Sequence, residues 1–197
     1  MTKAKAIFLD RDGVVNELVY FQEQGIIDSP FIPEQFHLCP EIPRAIKRFQ
    51  NTGYKVIIVS NQPGIAKGHM TQNTFNRIDE TMKAQLGKEG VYLDGVYYCL
   101  HHPEAIIKHY RLDCTCRKPK PGLILKAAQE LDIDISQSWF IGDNLIDIKA
   151  GKNAGCHTLL IGKMRCELCE LMYNERIKPE VIKLNLLEAA ESIMKGV

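Results

Sequence analysis

Short apolar runs alternating with segments of helical pattern constrain this chain most. The runs cover residues 6–9, 56–59, 96–99, 139–141 and 158–161, and the helical segments 42–49, 75–86, 123–131 and 145–153 stand between them. A nearly continuous apolar strand has no polar face to turn to water, so it must be covered on both sides. Helices between successive strands supply that cover, which predicts an α/β fold: a doubly wound parallel sheet with helices on both faces. The 197 residues suffice for one core, and no repeat, low-complexity tract or Pro/Gly/Ser-rich linker divides them, so 1–197 reads as a single domain.

Several helix ends are legible. Thr71 can cap a helix whose inner face is Phe75, Ile78, Met82 and Leu86, and Gly87 or Gly90 can end it. Pro121-Gly122 opens the next helix, and Asn185 with Glu188 has the pattern of a capping box for the last one.

Ligands bind to open parallel sheets at the carboxyl ends of the strands. The residues with chemistry sit there: Asp10 and Asp12 after the first run, Ser60-Asn61 after the second, Cys99 after the third and Gly142-Asp143 after the fourth. Asp10-Arg11-Asp12-Gly13 takes two carboxylates out of a buried strand into a glycine turn. Such a pair packs poorly, but it can bind a divalent cation and attack phosphorus. The plainer alternative is an Asp-rich turn that only ends a strand. A calcium loop would need a bidentate Glu at its twelfth position, which counted from Asp10 is Phe21.

With 25 basic and 24 acidic side chains, no overall field favours nucleic acid or a membrane surface, whereas a small anion is compatible with local charge. No run is long and apolar enough to span a bilayer, and residues 1–5 lack a signal-peptide pattern. The expectation is a cytoplasmic monomer acting on a small phosphorylated metabolite.

Seven cysteines are present, three of them near histidines. Cys99, Cys114 and Cys116 with one histidine match a closed tetrahedral zinc site that leaves no position for catalysis. His101, His102 and His109 are all candidates for the nitrogen ligand. Such an ion would staple a long loop and thereby place Arg117 and Lys118, which follow it directly. Cys166-Glu167-Leu168-Cys169 lacks a redox context or a second ligand pair and reads as packing or surface thiols, and Cys39 and Cys156 read as small hydrophobes.

Taken in order, these motifs resemble the phosphatases of the haloacid dehalogenase (HAD) superfamily, subfamily IIIA. Asp10-Arg11-Asp12-Gly13-Val14 matches the first motif, Ser60 the second, Lys118 the third, and Gly142-Asp143 with Asp147 the fourth. The resemblance implies a HAD-like, Rossmann-type sheet with a zinc-stapled loop. The spacings leave no room for a large cap domain. It further implies hydrolysis of a phosphate monoester through an aspartyl phosphate, with Asp10 as nucleophile and Asp12 as general acid and base. An ordinary Asp is ionised at neutral pH, so an acid at position 12 calls for burial or a neighbouring carboxylate. Ser60 and Asn61 would donate to phosphoryl oxygens, Lys118 would neutralise developing charge, and Arg117 could contact a second substrate anion. Magnesium would be held by Asp10, the main-chain carbonyl of Asp12, and Asp143, with Asp147 nearby either supporting the site or simply starting a helix.

Tyr97-Tyr98-Cys99-Leu100-His101-His102-Pro103 and Cys114-Thr115-Cys116-Arg117-Lys118-Pro119 are similar to the zinc loop of heptose-bisphosphate and histidinol phosphatases, which favours His101 as ligand. The loop Gln62-Pro63-Gly64-Ile65-Ala66-Lys67-Gly68 and the double histidine lean toward a heptose bisphosphate as substrate, with histidinol phosphate or another sugar phosphate as the alternative. Two departures stand out: a longer loop over residues 16–36, and Asn144 where the heptose enzymes commonly carry lysine. From another class, a non-catalytic zinc-stabilised interaction protein would have no reason to gather acids at 10, 12 and 143.

Overall fold

The computed structural model describes residues 3–162, 172, 175–177 and 179–195. Cys166 and Cys169 lie outside the described residues. The chain forms β1 (Lys5–Leu9), β2 (Val19–Phe21), β3 (Ile26–Asp28), α1 (Ile42–Asn51), β4 (Tyr54–Asn61), α2 (Gln72–Lys88) and β5 (Gly95–Cys99). It continues with α3 (Gly122–Glu130), β6 (Trp139–Gly142), α4 (Leu145–Ala154), β7 (His157–Ile161), β8 (Val181–Lys183) and α5 (Leu186–Met194). Among the described residues no helix is long and apolar enough to cross a membrane.

Six strands form one parallel sheet in the order β5-β4-β1-β6-β7-β8. Successive residues of a strand point to opposite faces, and the core divides accordingly. Ile7, Leu9, Val56, Ile58 and Ile141 pack with α1, α2 and α5 on one face, while Ala6, Phe8, Ile57, Val59 and Phe140 pack with α3 and Ala150 of α4 on the other. This is the doubly wound α/β arrangement that the apolar runs require. No large cap is inserted among the described residues; the excursions from the sheet are the segment between β1 and α1 and the Cys/His loop after β5.

The helix ends follow local chemistry. Thr71 accepts the Thr74 N–H as N-cap of α2, and Gly90, at φ +65°, turns the chain just after its end. Gly87 lies inside the helix. Asn185 caps α5 by accepting the Glu188 N–H, but the Glu188 carboxylate takes the Leu184 N–H instead of closing the reciprocal box.

Two elements differ from the sequence reading. Residues 16–36 are not one long loop, because β2 and β3 pair as an antiparallel hairpin with Tyr20 opposite Ile27. Strands of three residues are too short to show alternation, and the four-residue turn 22–25 lacks an Asn-Gly or Asp-Gly pair; Gly25 supplies its positive φ of +64°. The stretch after Gly162, in which the sequence marks only the last helix, also contributes β8, which pairs with β7 from Leu159↔Val181 to Ile161↔Lys183. Cys156 is buried as expected, and burial pushes its thiol up to about 12.

Candidate active site

β1 lies mid-sheet: the chain builds β4 and β5 on one side of it, then crosses to add β6, β7 and β8 on the other. The crevice at such a reversal, between the ends of β1 and β6, is where this architecture binds ligands. Asp10 follows β1 and Asp143 follows β6, and the Asp10 N–H donates to the Ile141 carbonyl at 3.0 Å, tying the two strand ends together. Asp10, Asp143 and Asp147 each offer a carboxylate oxygen within 4.8 Å of the others. Gly13, at φ +79°, lets the turn pass against Asp143, since a Cβ there would strike that carboxylate.

One ammonium answers these acids. Lys118 Nζ is buried, 2.8 Å from Asp10 Oδ1 and 2.7 Å from Asp147 Oδ1, and it donates to the Val59 carbonyl at 3.1 Å. Burial works against its charge, but the two carboxylates outweigh that and raise Lys118 above its usual value. Asp147, fully buried, accepts the Asn144 N–H in a capping box at the start of α4, as a helix-starting acid does, and also pairs with Lys118. Burial and Asp10 lift Asp147 to about 6 against the pull of Lys118. Burial, then Asp147 and Asp10, push Asp143 up to about 7. Three crowded acids with one ammonium leave negative charge uncompensated, and a hard cation with oxygen ligands fits that donor set.

Asp12 stands among donors rather than beside a second carboxylate. It accepts from Arg11 Nε and Nη2, from Asn16 Nδ2 at 3.0 Å and from Gln62 Nε2 at 2.5 Å. The neighbouring carboxylate considered from the sequence is thus not among its hydrogen-bond partners. Ser60 is buried, and its Oγ accepts from Gln62 Nε2 at 3.1 Å. Asn61, expected to reach a phosphoryl oxygen, has its amide on the main chain of Lys118.

The thiols converge as a separate group. Cys99, Cys114 and Cys116 lie 3.0 to 3.5 Å apart at sulfur, and His101 Nδ1 is 3.4 Å from Cys116 and 3.8 Å from Cys99. A tetrahedron with ~2.3 Å metal–sulfur bonds has edges of about 3.8 Å, so these four can close on one ion. Although burial works the other way, hydrogen bonds from Cys116 and Cys99 pull Cys114 down to about 7. His102 accepts the Glu104 N–H, and His109 packs edge-on against Tyr110, leaving His101 in the cluster. Arg117 Nη1 donates to the His101 carbonyl at 3.2 Å, linking this cluster to the residue beside Lys118.

Sequence reading assigned no role to Arg11, Asn16 or Gln62, all buried polar side chains. The signal available was Arg11 between two acids; Asn16 and Gln62 had none, because only the folded turn brings them to Asp12.

Carboxylates and a buried lysine at the switch point of a parallel α/β sheet fit a phosphoryl-transfer hydrolase. A family model described as HAD-hydrolase-like matches residues 115–189. The D-glycero-beta-D-manno-heptose-1,7-bisphosphate 7-phosphatase of Pasteurella multocida is 42% identical over 152 residues, 76% of this chain and 77% of the relative. That of Escherichia coli K12 is 36% identical over 158 residues, 79% of this chain and 78% of the relative. The crystal structure of D,D-heptose 1,7-bisphosphate phosphatase from B. bronchiseptica, complexed with magnesium and phosphate, superposes with a TM-score of 0.78 at 28% identity, covering 98% of this chain and 99% of that one. The chain belongs to the HAD superfamily of phosphatases, closely related to the heptose-bisphosphate 7-phosphatases.

Proposed function

We propose that this chain is a magnesium-dependent phosphatase that removes the 7-phosphate of D-glycero-D-manno-heptose 1,7-bisphosphate through an aspartyl-phosphate intermediate. The observation that carries the reading is the seating of Asp10: its Oδ1 is held by Lys118 and by the Arg11 N–H at 2.7 Å, at the mouth shared with Asp143.

A carboxylate oxygen of Asp10 attacks phosphorus while the bond to the sugar oxygen breaks, and Asp12 gives that oxygen a proton. Asp12 then takes a proton from water, whose attack on the aspartyl phosphate restores Asp10 and releases inorganic phosphate. Lys118 offsets charge on the transferring group, and the Ser60 hydroxyl would donate to one of its oxygens. Asp10, Asp143 and the main-chain carbonyl of Asp12 would hold the magnesium, which when bound neutralises phosphate charge and aligns the ester for in-line displacement. Asp147, engaged by Lys118 and Asn144, supports the set from behind. Cys99, His101, Cys114 and Cys116 would hold a structural zinc.

The substrate assignment is supported by the named activities of the relatives and by Arg117, whose planar fork beside Lys118 suits a second anion. Asn144, where the heptose enzymes commonly carry lysine, caps α4 through the Ile146 N–H and adds no cation. The test is phosphate release from heptose bisphosphate, heptose monophosphates, other sugar phosphates and histidinol phosphate, with magnesium and with chelator. Preference for the 7-phosphate of the bisphosphate supports the assignment; preference for histidinol phosphate overturns the substrate, and retained turnover in Asp10→Asn overturns the mechanism.

A further inference from the structure

Gln62 directly follows Ser60-Asn61, and its side chain is buried, with 2% of the residue exposed. Its main chain is pinned as well, the N–H donating to the Cys99 carbonyl at 2.7 Å. The amide makes three contacts: Oε1 accepts from Arg11 Nη2 at 2.7 Å, while Nε2 donates to Asp12 Oδ2 at 2.5 Å and to Ser60 Oγ at 3.1 Å.

A guanidinium has donors only, so Arg11 must meet the amide oxygen, and this settles which end of the amide faces Asp12. Arg11 cannot swing away. It is fully buried, reaches both carboxylate oxygens of Asp12, and lies 5.7 Å from the ring centre of Tyr98, whose hydroxyl is anchored on Asp79 at 2.7 Å. The two N–H groups of the Gln62 amide are thus directed to two fixed acceptors, and the Asp12 carboxylate is clamped on both oxygens.

Resting on the reading of Asp12 as acid and base, the geometry points to Gln62 as a positioning residue for the reaction. Its amide hydrogen-bonds Arg11, Asp12 and Ser60 and neither Asp10 nor Asp143; it stops rotation of Asp12, so that the same carboxyl oxygen meets the departing sugar oxygen and then the incoming water. Proton transfer is sensitive to such placement, since it requires hydrogen-bond distance to both oxygens in turn.

The test separates the two half-reactions. A sugar alkoxide needs a proton to leave; nitrophenolate does not, so p-nitrophenyl phosphate phosphorylates Asp10 without help from Asp12 but still needs a base for water. Gln62→Met removes the amide, and Gln62→Glu keeps an acceptor for Arg11 while losing both donors. In each variant, kcat for heptose bisphosphate is expected to fall about 10- to 100-fold. The first-turnover burst of nitrophenolate keeps its amplitude and its rate to within about threefold, followed by slow steady-state release. Circular-dichroism melts check folding, and the size-conserving Glu variant covers the case in which Met fails to fold. Equal loss of burst and bisphosphate turnover, or no loss of either, overturns the proposal. Asp12→Asn is run beside them. If it turns over the bisphosphate at the wild-type rate, the reading of Asp12 falls and Gln62 with it; if it alone shows the expected split, only the role of Gln62 is lost.

Discussion

Asn61 and Lys118 exchange two hydrogen bonds: the Lys118 N–H donates to Asn61 Oδ1 at 2.9 Å, and Asn61 Nδ2 donates to the Lys118 carbonyl at 3.1 Å. A side-chain amide thereby pairs with the main chain as a strand neighbour would, fixing the backbone from which the buried ammonium reaches Asp10. Asn61→Ala is expected to lower phosphate release about 10- to 100-fold and stability by about 1–3 kcal/mol, since it leaves a main-chain donor and acceptor unpaired. Steady-state kinetics and urea unfolding check this; unchanged kcat would separate the amide from the lysine's placement.

Gly13 is the tightest backbone position in the site. Gly13→Ala puts a methyl group into the Asp143 carboxylate at a φ of +79°, so strain and displaced charge act together. Activity is expected to fall at least about 100-fold, with a loss of about 1–3 kcal/mol in stability. Calorimetric magnesium titration of the variant should show weakened binding.

The metal-free protein carries a defined pH signature. Asp143 and Asp147, at about 7 and about 6, lie above their usual value of 3.8, so the folded state binds more protons than the unfolded state between these limits. Stability in chelator therefore falls as pH rises from about 4 to about 7. The lowered carboxylates Asp134, Glu180 and Glu191 act below about 4.5, and Lys118, raised above 10.5, gives no slope in that window. The lowered His102 and Cys114 act in the opposite sense, below 6.5 and above about 7 respectively, and both are retained in Asp143→Asn. Melting temperatures in chelator from pH 5 to 7 should therefore fall more steeply in wild type than in Asp143→Asn, and added magnesium should stabilise most at the upper end.

The thiol cluster should be separable from the chemistry by metal analysis. Cys114→Ser is expected to lower the content of the bound ion and the melting temperature by about 10 °C, as a loss of several kcal/mol does in a chain of this size. Phosphate release should fall with it, because Arg117 rests on the His101 carbonyl. Full activity without the ion would uncouple the two.

The sheet was legible because β1, β4 and β7 are nearly continuous apolar runs covered on both faces, a pattern that admits few folds. Asp10 and Asp143 were legible because acids placed after apolar strands serve packing badly, whereas Lys118, in a loop, was legible only through the resemblance to the third motif. The hairpin β2–β3 and β8 were not, since three residues carry no period and their partners are set by tertiary contacts. Gln62 and Asn16 were silent for a related reason: a neutral amide beside a strand end is ordinary until a turn 46 to 50 residues away, or its own, is seen to face it. Asn61 carries more than the sequence suggests, since the hydrogen bonds of its amide hold the main chain of Lys118.

The sheet order also governs what a growing polypeptide can do. β1 is synthesised first yet is flanked by β4 and β6, so one of its edges stays bare until residues 139–142 have emerged from the ribosome. A nascent or truncated product ending before that point presents an unpaired apolar strand to its neighbours and lacks half its acids, making it at once inert and prone to aggregate.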